Sequence, residues 1–375
     1  MSNTRLVLKD VDKFYGPIDN GVHAVRQMNM NVAAGEIVAL LGSSGCGKTS
    51  ILRMIAGFEQ ISHGSIKIAG KAINALPPVK RGVAMAFEGY SLYPPLTVRD
   101  NLAFALKSST YSAAQVKEKV SEIAAMLEIE DILDRYPSSI SGGQQQRASL
   151  GRALVRDADL HLLDEPMGQL EPQLRAILRG RIKYFIKERG LTAILVTHDQ
   201  AEANALADRI AVMEEGTLQQ LATPELIKER PANLFAGTFI GEPPMNIFPA
   251  SPHIDGVQIK FQLDGGVTLG YDNSAFSADV LQAIKQHSRL VLGVRPYAVK
   301  RKDSGVPATV AASQWLGDQS HIAADFADGS IVLVEHDRAA VAPGDTIHLE
   351  LEPAHLHFFN ADNGVAIAHG QELAL

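Results

Sequence analysis

The stretch Gly42-Ser43-Ser44-Gly45-Cys46-Gly47-Lys48-Thr49 constrains this chain more than any other. It has the form G-x-x-x-x-G-K-[ST], and it lies between an apolar run, Ile37–Leu41, and a segment with helical character, Thr49–Ala56. Glycines at these places let the backbone curl so that successive N–H groups point inward at phosphate oxygens. The helix that follows presents the positive end of its dipole to the same charge. A strand, a phosphate-sized loop and a helix in that order imply an α/β sheet with its loops at one edge. Lys48 is placed to reach the β- and γ-phosphates and the Thr49 hydroxyl to take Mg²⁺, with Ser50 in the first helical turn. A glycine turn with a chance lysine is the bland alternative. Average residue usage produces the pattern in roughly one chain in a hundred, and the strand–helix context makes it rarer. Cys46 reads as a small loop residue, with a reactive thiol whose oxidation would obstruct nucleotide entry as the alternative. It is the one cysteine, so an intramolecular disulfide is excluded and a reducing compartment fits.

Around this loop the pattern is mixed. Residues 5–11 and 22–32 read as strands about turns at Gly16-Pro17 and Asn20-Gly21, and Ser65–Ala69 and Gly82–Phe87 as further strands. From about 97 to 157 helix takes over. Ser112 and Gln115 have capping-box spacing ahead of an apolar face formed by Val116, Val120, Ile123 and Leu127. Strands are expected again at Leu160–Leu163, Leu191–Val196 and Ile210–Met213, between helices near 172–189 and 199–207. Such alternation implies a mainly parallel, helix-covered sheet. Thr223-Pro224 reads as a helix start. After Gly241-Glu242-Pro243-Pro244, short apolar stretches at 290–294, 307–311, 331–335 and 346–352 alternate with turns such as Asp328-Gly329 and Gly344-Asp345. The expected domains are therefore 1–240, α/β with a helical subdomain at about 90–157, and 241–375, a small all-β barrel or sandwich.

Three more motifs follow in order: Ile140-Ser141-Gly142-Gly143-Gln144-Gln145-Gln146-Arg147, then Leu160-His161-Leu162-Leu163-Asp164-Glu165-Pro166, then Thr197-His198-Asp199. With the phosphate loop they make residues 1–240 resemble the ABC ATPases, P-loop NTPases that bind ATP and Mg²⁺. Asp164 ends a buried strand at the edge where open α/β sheets bind ligands, so it can hold Mg²⁺ through water. Glu165 can polarise the attacking water as general base, and His198 can steady that water against the γ-phosphate. An isolated Asp-Glu pair after a strand is usually a solvated turn and a lone histidine usually structural; the ordered set argues against both. The resemblance implies that Ser141, Gly142, Gly143 and Gln144 form a signature loop that completes the ATP site of an opposite subunit. It also implies that Tyr15 stacks on adenine, a role to set against ordinary packing.

The chain departs from the family at two places. Glu88, within Met85–Pro94, stands where a glutamine that ligates Mg²⁺ is usual; it keeps an oxygen ligand, loses the amide donor and adds charge, so altered Mg²⁺ affinity or coupling is expected. Gly168-Gln169-Leu170-Glu171 begins and ends where serine and aspartate are usual. These changes suggest pairing with a second, non-identical ATPase as one option and a homodimer as the other.

Phe235–Asn246 and Leu292-Gly293-Val294-Arg295-Pro296 resemble the junction and OB-like barrel extension (the TOBE type) of importer ATPases of the carbohydrate-uptake subclass, although Tyr297 follows where glutamate is usual. The resemblance implies an ATPase motor for a sugar, polyol or glycerol-phosphate-like solute, peripheral on the cytoplasmic face of the inner membrane. Its partners would be transmembrane permease subunits, a second ATPase subunit and, indirectly, an extracytoplasmic solute-binding protein. Tyr90, Tyr93, Pro94 and the helix near 100–107 would form the socket for a permease coupling helix. A polyamine, ion or sulfate importer remains an alternative, as does a catalytically weak regulatory subunit. A repair or translation NTPase is disfavoured, because a second cassette and a long coiled-coil insertion are both missing from the sequence. Nucleic acid is not expected as a partner, since 42 acidic against 35 basic residues leave a net charge of −7. No signal peptide is expected from the first ten residues, and no apolar run approaches the ~20 residues that span a bilayer.

Overall fold

The structure, a computed structural model, describes residues 4–17, 20–89, 91–107 and 110–370. The chain forms two compact units, residues 1–224 and 225–375. In chain order the first contains β1 (Thr4–Tyr15), β2 (Val22–Ala33), β3 (Ile37–Gly42), α1 (Lys48–Ala56), β4 (His63–Ile68), β5 (Lys71–Ala72), β6 (Val83–Ala86), α2 (Val98–Phe104), α3 (Ala113–Met126), α4 (Gly142–Leu154), β7 (Leu160–Asp164), α5 (Pro172–Glu188), β8 (Ala193–Val196), α6 (Gln200–Leu206), β9 (Arg209–Glu214) and β10 (Thr217–Ala222).

Its central sheet has the order β10-β9-β3-β8-β7-β6. The five strands from β9 to β6 run parallel, and β10 closes one edge antiparallel. A parallel sheet covered on both faces wants continuous apolar strands. That is why Ile37–Leu41, Leu160–Leu163 and Ala193–Val196 read as unbroken runs; all three are buried along their length. Because β6, β7, β8 and β3 are parallel neighbours, the loops that leave them all emerge at one edge. That topology places the site. A smaller antiparallel sheet, β2-β1-β4-β5, holds the N-terminal strands.

The helical stretch is ended and started by its own side chains. Ser112 and Gln115 form the expected capping box at α3, which buries Val120 and Ile123, with Leu127 buried at its end. Thr97 caps α2 by accepting from Asp100 N, and Ser141 with Gln144 makes a second capping box at α4. Such a cap is worth about 1 kcal/mol.

In the second unit, six strands between Asn246 and His369 and five between Val299 and Leu351 form two antiparallel sheets over one core that includes Phe261, Leu292, Ile322, Leu333 and Phe358. The strands thus layer as two sheets. A helix, Ala278–Lys285, is added to the expected β pattern; Ser277 caps it, and Val280 and Ile284 sink into the core. This unit also begins earlier than the expected junction near 240. Arg295, 2% exposed, donates through Nε and Nη2 to the Lys228 carbonyl at 3.1 and 3.0 Å and through Nη1 to Gly237 O at 3.1 Å, with a further bond to Ile240 O. Helix Leu234–Phe239 is thereby tied to the β-rich region. No helix among the described residues is long and apolar enough to cross a membrane.

Candidate active site

The phosphate loop leaves β3 and enters α1 with Gly45 at φ 80° and Gly47 at φ 100°. A side chain at 47 would also meet the Ala24 carbonyl at 2.4 Å, so glycine is required there twice over. Lys48 Nζ donates to Gly42 O and Ser43 O, both at 2.9 Å, and lies 3.5 Å from Cys46 Sγ. An ammonium has three donors and no acceptor, so these are bonds it can exchange for phosphate oxygens. Cys46 is 1% exposed and packs in the core, which fits the reading of a small loop residue. Tyr15, at the end of β1, meets the first turn of α1 with its hydroxyl 3.2 Å from Ser50 Oγ, and the Lys13 ammonium lies 4.6 Å from its ring centroid.

Asp164 ends β7 on the same edge and is buried. Burial, with the neighbouring carboxylates of Glu88 and Glu165, pushes its pKa up to about 6, and Lys48 and Arg53 pull the other way. The charge of Glu88, which follows β6, therefore reaches the end of β7. Glu165 takes a left-handed backbone conformation, φ 46°, which costs a non-glycine residue roughly 1 kcal/mol. Its side chain meets His198, the second residue beyond β8, with Oε2 3.1 Å from Nδ1. A carboxylate and an exposed imidazole are thus in contact at this sheet edge.

The loops are tied from behind by residues for which sequence reading assigned no role. Gln146 donates to the Glu165 carbonyl and accepts from Gln169 N, both at 2.8 Å. Arg175 on α5 holds Leu170 O at 3.2 Å and Asp199 Oδ2 at 2.8 Å, which joins segment 168–171 to the residue following His198. Glu202, 2% exposed, accepts from Thr197 Oγ1 at 2.9 Å. Burial pushes its carboxyl up to about 7, with Thr197 pulling down, Asp199 adding to the rise, and Arg175 and Arg179 opposing it. The contacts of Gln146 and the Arg175–Asp199 pair join residues 19 to 24 positions apart, while Arg175–Leu170 and Thr197–Glu202 are five apart.

Ser141, Gly142, Gly143 and Gln144 occupy the N-terminal turn of α4. Ser141 Oγ accepts from Gln144 N at 3.3 Å and Ser141 N donates to Gln144 Oε1 at 3.0 Å. A Cβ on Gly143 would lie 3.3 Å from Gln169 O, so this turn fits closely against segment 168–171 of its own chain. Glu171 is exposed and makes no side-chain cap for α5. Tyr93 is stapled by buried Asn101, which accepts from Tyr93 N at 2.7 Å and donates to the carbonyls of Tyr93, Leu96 and Thr97. Beside it a groove is lined by Leu96, Ala103, Phe104, Leu106, Tyr111 and Val116. Tyr90 lies outside the described residues.

The comparisons agree with this geometry. A family model described as ABC transporter matches residues 25–168, and a TOBE domain model matches residues 292–359. An sn-glycerol-3-phosphate import ATP-binding protein of Cereibacter sphaeroides is 40% identical over 362 residues, which is 95% of this chain and 98% of that protein. This chain belongs to the ABC transporter ATP-binding proteins. A trehalose import ATP-binding protein of Mycobacterium tuberculosis is 45% identical over 291 residues, covering 78% of this chain and 72% of its own. Among solved structures, a dimeric ATP-binding cassette in a post-hydrolysis state, bound to ADP and Pi, superposes with a TM-score of 0.54 at 27% identity over 58% of this chain and 98% of its own. As an ABC ATPase the chain binds nucleotide and hydrolyses ATP in coupling to transport.

Proposed function

We propose that this chain is the motor subunit of an importer for a sugar, polyol or glycerol-phosphate-like solute, working as one of two ATPase subunits beneath a transmembrane permease on the cytoplasmic face of the membrane. The observation that carries the reading is the convergence of Lys48, Asp164, Glu165 and His198 at one sheet edge, in a chain that spans nearly the full length of import ATP-binding relatives.

In this reading the backbone from Gly42 to Thr49 cradles the phosphates, Lys48 neutralises the β- and γ-oxygens, and Tyr15 faces the adenine. Glu165 accepts a proton from the attacking water and His198 holds that water in line. Ser141 to Gln144 contribute to the partner subunit's ATP site, where the N-terminus of α4 favours anionic phosphate. The groove beside Tyr93 receives a helix of the permease. Among the described residues no three His, Cys, Asp or Glu side chains converge on a metal by themselves. That fits Mg²⁺, which takes one or two protein oxygens and completes its shell with phosphate and water. The Thr49 hydroxyl, Asp164 and Glu88 offer hard oxygen donors where carboxylate charge is concentrated. Bound Mg²⁺ would supply charge neutralisation at the phosphate oxygens.

Glu165→Gln tests the site. Hydrolysis should fall by about a hundredfold to ten-thousandfold while ATP still binds and the ATP-bound dimer accumulates on size-exclusion chromatography. Parent-like hydrolysis would remove Glu165 as the base. Gentle solubilisation of membranes carrying a tagged chain tests the assembly. Permease chains with a single ATPase type support a homodimeric motor, an equal amount of a second ATPase supports the heteromeric form, and recovery without membrane protein would overturn the importer reading.

A further inference from the structure

Gln146 is a polar residue on an amphipathic helix, one turn beyond the Ser141 signature turn, yet it is only 4% exposed. Burying a primary amide is costly unless both its ends are bonded. Here both are, and to two segments of the site at once. Nε2 donates to the carbonyl of Glu165, and Oε1 accepts from the backbone N–H of Gln169. The Glu165 carbonyl also accepts from Gly168 N at 3.3 Å, while Glu165 N is held by Val196 O at 2.9 Å. Glu165 has a positive φ and needs its backbone held from several sides to keep it. The one of these anchors that comes from α4 is the Gln146 amide. The close fit of Gly143 against Gln169 O places the start of the same helix flush with the same loop.

We infer that Gln146 is a positioning residue: it carries the position of α4, and hence of the Ser141 turn, to the backbone of Glu165 and sets that carboxylate to take a proton from the attacking water. Its two bonds make the signature helix, segment 168–171 and the catalytic loop one mechanical unit. A shift of α4 therefore moves Glu165 directly, without passing through the phosphate loop. The inference rests on Glu165 as general base, and the experiment separates the two.

In the full-length chain, ATP affinity is measured by equilibrium binding of a fluorescent ATP analogue, turnover by steady-state hydrolysis, and folding by thermal melting. The variants are Gln146→Met, Gln146→Glu, Glu165→Gln and the double variant Gln146→Met/Glu165→Gln. Displacing a catalytic group by about 1 Å costs about a hundredfold, so Gln146→Met should lose about that much kcat with KM and ATP affinity within about twofold of the parent. In the double variant it should add nothing to the loss from Glu165→Gln, because residues acting through one another are not additive. Gln146→Glu keeps the acceptor for Gln169 N but sets a carboxylate against Glu165 O, so it should lose nearly as much kcat while staying folded at the assay temperature, with a melting temperature below the parent's. It carries the test if the methionine variant folds poorly. Losses that multiply in the double variant, parent-like turnover of Gln146→Glu, or ATP affinity falling in step with kcat would overturn the inference. Parent-like hydrolysis by Glu165→Gln alone would instead overturn the assignment of the base.

Discussion

The two units bury polar groups for opposite ends. In the second, five buried side chains, Asn246, Arg295, Ser320, His357 and His369, are paired with one another or with backbone, while Asn273 Oδ1 and His321 Nε2 are buried without a partner. Arg295 distributes its guanidinium over the carbonyls of Lys228, Gly237 and Ile240. Asn246 bonds Val332 through both its donor and its acceptor, and Ser320 bridges Asp337 O and Ala339 N. His357 and His369 bond each other at 3.0 Å, and burial pushes their pKa values down to about 3 and about 4, so both stay neutral near pH 7. In the first unit the buried carboxyls of Asp164 and Glu202 carry raised pKa values, and Glu202 Oε1 has no hydrogen-bond partner. The contrast teaches where work is done. A satisfied polar network fixes a shape, whereas charge held under strain at a sheet edge is available to a ligand.

The largest expected effect belongs to the strained side. Lys48→Ala should cost on the order of a thousandfold in nucleotide affinity, about 4 kcal/mol, through loss of charge-assisted bonds to phosphate. Isothermal titration with ATP checks it, and parent-like affinity would remove Lys48 from the phosphate site. Arg295→Met probes the satisfied side. Leaving several buried carbonyls without a donor should destabilise the second unit by about 3 kcal/mol in urea unfolding, with ATP affinity unchanged. A fall in ATP affinity without loss of stability would break the contrast.

Glu202 gives a smaller effect with a definite sign. Its folded pKa, about 7, lies above the ordinary glutamate value of 4.5, so the native state binds more protons than the unfolded chain between those values. The stability Glu202 allows is fully present below pH 4.5 and is lost as pH rises through about 7. Glu202→Gln should therefore gain on the parent as pH is raised from 5 to 8, by roughly 1–3 kcal/mol at the upper end. Unfolding midpoints across that range decide it, and a gap that narrows with pH would refute the buried-charge account. The smallest effect is expected at Gly168→Ser, where an added Cβ meets no atom nearer than 3.6 Å. Its stability should change by less than about 0.5 kcal/mol, so a large loss would show that segment 168–171 is under tension.

Much of the site was legible because its residues sit where strands end. A strand's end is a local property, and an apolar run stopping at Asp164 or Val196 shows where the next residues emerge. The phosphate loop is equally local, since its glycines serve its own curvature. Gln146, Arg175 and Glu202 were not legible. Each lies on a helix among other polar residues, and in sequence such a residue looks like part of a solvated face. In the second unit, helix Ala278–Lys285 had a readable signal in Ser277 followed by Val280 and Ile284, but it is short and set within a run of strands. Nothing local to Arg295 tells that it reaches back to residues 228–240.

What the sequence by itself determined is therefore the parts that depend on backbone chemistry over a few residues: the phosphate loop, the helix caps, the buried strands and the order of the motifs. Only the tertiary structure decided which loops become neighbours, that Glu165 meets His198, and that one buried amide ties Glu165 and Gln169 to α4. The physical reason is that a side chain's environment is set by what packs against it. In a parallel sheet those neighbours come from crossovers that separate them widely along the chain.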